Sequence, residues 1–210
     1  MPFVGRLPNR ASLATRSSRG TLRGSLRALL AAIKVTPPFV LVGHSYGGLI
    51  VSGYAHEYAK DVAGLVYLDA PDVDQTEADL LTVSADARRL QTAELNSFPP
   101  DLSAGMRAEF DNLRALVTGN PAQMHALHPP AGIPIAVVVA AGKIDRVQDA
   151  RERAIRGGIL QLQIRHEQQW ALSAPDGLFL MTRHGGHFVH QDNSDLTVYA
   201  IRHVLAAVWY

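Results

Sequence analysis

The sequence predicts an α/β fold with a mostly parallel sheet flanked by helices, and three features carry that prediction. Apolar runs rich in β-branched residues, ending at Gly43, Asp69, Ala140 and Thr182, are strand-like. Stretches of helical periodicity alternate with them, as parallel strands joined by crossover helices require. Finally, within Pro38-Phe39-Val40-Leu41-Val42-Gly43-His44-Ser45-Tyr46-Gly47-Gly48-Leu49-Ile50 a strand gives way to a helix across one tight turn, with a serine at its apex.

That turn has the spacing G-x-S-x-G. So sharp a turn strains the serine backbone and requires small residues at −2 and +2, Gly43 and Gly47. It thrusts the hydroxyl out at the carboxyl end of the strand, beside a helix N-terminus whose N–H groups and dipole favour developing negative charge.

Taken in order, Leu22, Leu26, Leu29, Leu30 and Ile33 recur at helical spacing over Thr21 to Lys34, and Thr36-Pro37-Pro38 stops them. Helix follows the turn to about Ala59, and Gly64 to Asp69 is a second buried strand. Pro71 to Pro130 holds no convincing strand but shows helical stretches around Ala78 to Leu95 and Ser103 to Val117, separated by Phe98-Pro99-Pro100. Its apolar residues, Leu80, Leu81, Leu90, Leu95, Phe110, Leu113 and Leu116, are expected to be helix packing rather than pocket lining. Ile133 to Ala140 is a third strand, buried on both faces, with Pro134 at its start. Helical segments at Val147 to Ile155 and Leu160 to Leu172 lead to a fourth strand, Leu178 to Thr182. A last helix runs from about Asp195 to Val208 with Asn193 or Ser194 as its N-cap.

The 210 residues suit one domain, and a net charge of +1 argues against general nucleic-acid binding. Basic residues nevertheless lead the chain: Arg6, Arg10, Arg16, Arg19, Arg23, Arg27 and Lys34 all precede the first acidic residue, Glu57. Residues 1–20, rich in arginine and serine, are expected to form a poorly ordered arm. There is no cysteine, so thiolate catalysis and disulfides are excluded. No apolar run approaches the roughly 18 residues that span a bilayer, and no hydrophobic secretory segment opens the chain, so a cytoplasmic protein is expected.

The segment Phe39 to Ala70 (FVLVGHSYGGLIVSGYAHEYAKDVAGLVYLDA) resembles the nucleophile elbow, following helix and next strand of the α/β-hydrolase family. The resemblance covers roughly residues 21 to 210. It implies a truncated form of that fold, lacking the family's first strands, with residues 72–130 as a helical cap over the serine.

A serine hydroxyl needs a base, and the base needs a carboxylate to hold its tautomer. Gly142-Lys143-Ile144-Asp145 follows the third strand and Gly185-Gly186-His187 follows the fourth, in the family's chain order of serine, acid, histidine. By resemblance to the family's G-x-x-D and G-H motifs the catalytic residues are Ser45, Asp145 and His187. Asp69, at the end of the second strand, is the alternative acid, since some family members take their acid from there. His184, His187 and His190 form H-x-x-H-x-x-H, but no cysteine or suitably spaced glutamate accompanies them, so no metal or other cofactor is expected. His44 is expected to pack beside the turn, and His125 and His128 to be solvated in a proline-bounded loop.

The backbone N–H of Tyr46 is the expected oxyanion donor. The residues before Phe39 offer no glycine-rich loop for a second, which predicts weak turnover, and Phe39 to Val42 is expected to be an exposed sheet edge favouring self-association. Two functions stay open: a carboxylesterase-like serine hydrolase acting on small-molecule esters or related acyl compounds, or an inactive remnant with a binding or assembly role. A serine at the elbow argues against dehalogenase and epoxide hydrolase chemistry, where the resemblance implies a carboxylate.

Overall fold

A computed structural model describes residues 19–97 and 102–209. Residues 1–18 of the expected arm, and Phe98-Pro99-Pro100, lie outside the described residues. Helix α1 (Arg19–Ala32) leads to strand β1 (Phe39–His44), helix α2 (Tyr46–Glu57) and strand β2 (Val62–Leu68). Helices α3 (Glu77–Val83), α4 (Ala87–Asn96), α5 (Ala104–Thr118) and α6 (Pro121–His125) precede strand β3 (Ile135–Ala140). A short 3₁₀ turn, α7 (Ala150–Ser173), β4 (Leu178–Thr182), α8 (Val189–Asp192) and α9 (Ser194–Trp209) complete the order.

The four strands form one sheet in the order β1-β2-β3-β4, every pair parallel. Side-chain alternation divides the strands between two layers. Leu65, Tyr67, Val137 and Val139 pack with Leu49, Val51 and Tyr54 of α2 and Leu160, Ile164 and Trp170 of α7. Val66, Leu68, Ala136 and Val138 face Ala200 and Val204 of α9. Gly64 lets α9 approach β2 closely, because a Cβ there would collide with Val204. β3 is buried along its whole length, as its unbroken apolar run predicts.

Differences from expectation lie among the helices. Residues 78–95 form two helices rather than one stretch: Thr76 and Asp79 make a capping box that starts α3, and the chain breaks at Ser84 before α4. The two segments expected after β3 are one helix, α7, whose N-cap Asp149 accepts a hydrogen bond from the Glu152 N–H at 2.7 Å. α6 starts with Pro121 behind Asn120, whose side chain accepts from the Ala122 N–H at 3.0 Å. In α1, Leu26 and Leu30 join the core, whereas Leu29 and Ile33 stay exposed.

Candidate active site

The β1–α2 turn places Ser45 in the left-handed region, with φ 52° and ψ −127°. A non-glycine residue held there costs on the order of 1–3 kcal/mol, and the surrounding structure must enforce it. Two hydrogen bonds do so: the Ser45 N–H donates to the Leu68 carbonyl at 3.0 Å, and its own carbonyl accepts from the Gly48 N–H at 2.8 Å. The Ser45 side chain makes no capping hydrogen bond to α2, and Tyr46 is that helix's first residue. Crowding at the turn differs from expectation. A Cβ at Gly43 would sit 2.5 Å from the Gly47 carbonyl oxygen, and one at Gly48 would sit 2.5 Å from the Ala70 Cβ, whereas Gly47 has open space around it. The positions that must stay small are therefore −2 and +3.

His187 comes from the loop after β4. Its Nδ1 lies 2.7 Å from Asp69 Oδ2, so the expected acid and the observed partner differ. Asp145 is exposed, and its carboxylate accepts a hydrogen bond from Arg183 at 2.8 Å. The reason is geometric: residues 141–146 coil into a 3₁₀ turn that sends Asp145 outward and brings Lys143 inward. Asp69 ends β2 with φ 44°, its side chain wholly buried. It accepts hydrogen bonds from the Ala140 N–H at 3.1 Å and from Lys143 Nζ at 2.9 Å to Oδ1 and 3.1 Å to Oδ2. Burial pushes the Asp69 carboxyl up, but the hydrogen bond from His187 and the charge of Lys143 outweigh it and hold the pKa below the ordinary carboxylate value. The ionised carboxylate accepts from the Nδ1–H of His187, leaving Nε2 as the nitrogen able to take a proton.

His44 is more than packing. Its Nε2 donates to the His187 carbonyl at 2.8 Å, and the two rings lie 4.7 Å apart. Burial lowers the His44 pKa, which favours the neutral ring. The His187 loop is also held by Asp192, whose carboxylate accepts from the Gly186 N–H at 2.6 Å, while Gly185 adopts φ 89° against it.

Ser45, Asp69 and His187 line one cavity of about 1120 Å³. Leu80, Leu95, Phe110 and Leu113 from the segment between β2 and β3 also line it. Leu80 and Leu113 are at the same time buried in packed clusters and Leu95 packs against one, as expected of them, whereas Leu81 is exposed. Asp74, at the start of that segment, accepts from Trp170 Nε1 at 2.6 Å and bonds the Nδ1 atoms of His125 at 2.7 Å and His128 at 2.9 Å. These two histidines are thus tied to a carboxylate rather than simply solvated. Sequence reasoning missed Asp74 and Lys143, because each acts through contacts with residues far away in the chain, and Asp192, whose bond to the Gly186 N–H six residues back depends on how the loop turns. Among the described residues no group of three or more His, Asp or Glu side chains is arranged to hold a metal ion, and no helix is long and apolar enough to cross a membrane.

A parallel sheet with helices on both faces, a strained serine at a strand-to-helix turn and a histidine loop after the last strand define the α/β-hydrolase class. The profile of the alpha/beta hydrolase family matches residues 6–200, and the chain belongs to that family. A carbendazim hydrolyzing esterase from Nocardioides is 42% identical over 52 residues, which are 24% of this chain and 22% of that protein. Among solved structures, a thermophilic esterase from Thermogutta terrifontis is similar with a TM-score of 0.50 and 17% identity, over 94% of this chain and 75% of that one. MenH from S. aureus is similar with a TM-score of 0.50 and 15% identity, over 93% and 80%. These two structures share the fold.

Proposed function

We propose that the protein is a serine hydrolase acting on esters or related acyl compounds, with Ser45 as nucleophile, His187 as general base and Asp69 as the acid that orients it. The observation that carries this reading is the 2.7 Å bond between His187 and the buried Asp69 on the wall of the cavity that Ser45 also lines. His187 takes the Ser45 proton as the oxygen attacks the acyl carbon, then returns it to the leaving alkoxide. Water activated by the same ring hydrolyses the acyl-enzyme. The Tyr46 backbone N–H, at the start of α2, serves the developing oxyanion. The segment between β2 and β3 acts as a cap, and its apolar lining suits a substrate with a sizeable apolar group. The name of the Nocardioides relative agrees with ester chemistry.

The test is hydrolysis of an activated aryl ester. Ser45→Ala and His187→Ala should each lower kcat by about 10³-fold or more, and the double variant should be little worse, because residues that act as a unit are not additive. His190→Ala should cost far less. Turnover that survives Ser45→Ala would overturn the reading.

A further inference from the structure

The turn after β3 brings a cation to Asp69. Lys143 Nζ is 2.9 Å from Oδ1 and 3.1 Å from Oδ2, bridging the whole carboxylate, and it does so on the wall of the same cavity. The turn has little freedom to move. A Cβ at Gly142 would collide with the carbonyl oxygens of Arg183 and Gly185, so the β3 turn and the His187 loop pass in direct backbone contact.

We propose that Lys143 is a positioning residue of this site, fixing the rotation and the charge of Asp69 so that the carboxylate stays a pure acceptor for His187. The inference rests on the hydrolase reading above. A wholly buried carboxylate without a counter-charge tends to neutralise by binding a proton. Once protonated, Asp69 would be a poor acceptor for the Nδ1–H and would lose its grip on the ring. The Ala140 N–H holds Oδ1 alone, whereas Lys143 spans both oxygens and thereby sets the carboxylate plane. Its positive charge also opposes protonation of the neighbouring imidazole. Both effects act in one direction: with Lys143 in place, a proton added anywhere on the Asp69–His187 pair meets a neighbouring positive charge. The other titratable and charged groups around the pair are His44 from β1, with its ring 4.7 Å from that of His187, His190 from α8, with its ring 4.6 Å from that of His44, Glu167 from α7, and Asp192 with its partner Arg146 beside Gly186. They are common to every variant compared, so a difference between variants reports Lys143.

The experiment measures the rate of Ser45 labelling by a fluorophosphonate against pH, with the His187 ring titrated in parallel by NMR, for the wild type and for Lys143→Met, Lys143→Gln and Lys143→Arg. In the Met and Gln variants the acid limb of labelling should move to higher pH by about one unit, so that labelling on that limb falls by about tenfold. The ring titration should move the same way, and Arg should restore most of both. A lysine that only supports the fold would lower labelling equally at all pH values. Should Met unfold the turn, Gln retains a donor without the charge and carries the comparison. An unmoved limb and an unmoved ring titration would overturn the proposal. If the wild type is not labelled at any pH, the hydrolase reading fails and the ring titration alone decides the role of Lys143.

Discussion

Ser45 and Asp69 both adopt positive φ, 52° and 44°, and both lie at the carboxyl ends of adjacent parallel strands. The strain at Ser45 was legible in the sequence because the crowded turn needs glycine at Gly43. The carboxylate partner of His187 was legible only as a pair of alternatives, since Asp69 and Asp145 each follow a strand directly and one-dimensional order does not say which way a 3₁₀ turn will aim its carboxylate. A second buried acid, Glu167, could not be foreseen at all. Its side chain is completely buried in α7; Oε1 accepts from Gln163 at 2.9 Å, and Oε2 has no partner among the described residues. Burial raises its pKa well above the ordinary value, with Asp72 and Asp69 adding to the effect. A carboxyl raised in the folded state contributes stability that is full below its unfolded value, about 4.3, and is lost as pH rises toward the folded value. Glu167→Gln removes that dependence, so the variant should gain in melting temperature relative to the wild type as pH rises from about 5 to 8. Thermal unfolding followed by circular dichroism across that range checks it; a gap that narrows with pH would contradict it.

Among elements, strands were easier to read than helices. The unbroken apolar run of β3 has no helical alternative of the right length, and the break at Thr36-Pro37-Pro38 before β1 is chemical. The long helix α7 carries charge and glycine on its middle turns, which hides its continuity from a period count. The segment between β2 and β3 was legible as helical, but the contacts that anchor it were not. Asp74 gathers Trp170 from α7, His125 from the end of α6 and His128 just beyond it. Burial pushes the Asp74 carboxyl up, but hydrogen bonds from Trp170 and the two histidines outweigh it and hold its pKa below the ordinary value. A carboxyl depressed in the folded state stabilises above its unfolded value, about 3.9, and that stabilisation disappears as pH falls through the folded value. Asp74→Ala should therefore cost about 1–3 kcal/mol at pH 7, measured by urea denaturation, and clearly less at pH 3. An equal cost at both pH values would show that packing, not the carboxylate, anchors the segment.

In the whole molecule the sheet runs from β1 at one edge to β4 at the other among the described residues, and Val42 of β1 is 41% exposed. Leu29, Ile33 and Val35, from α1 and the connection to β1, are exposed apolar residues as well. An apolar edge of this kind favours pairing with a second copy of the chain. Light scattering after size exclusion should show association that grows with concentration and is reduced by Val42→Lys, whereas a monomer at all concentrations would contradict it. The order of strands and helices followed from alternating periodicity, and the nomination of Ser45, His187 and an acid from the resemblance of their motifs to the family's; that His187 and Lys143 both bond Asp69 came from the geometry of a single turn. On the proposed reading Ser45 is an activated nucleophile served by His187 and Asp69. Fluorophosphonate labelling with peptide mapping by mass spectrometry tests it most directly. One adduct is expected, on Ser45, that is lost in His187→Ala, strongly reduced in Asp69→Asn and retained in Asp145→Asn. No adduct on Ser45, or one that survives Asp69→Asn and is lost in Asp145→Asn, would contradict it.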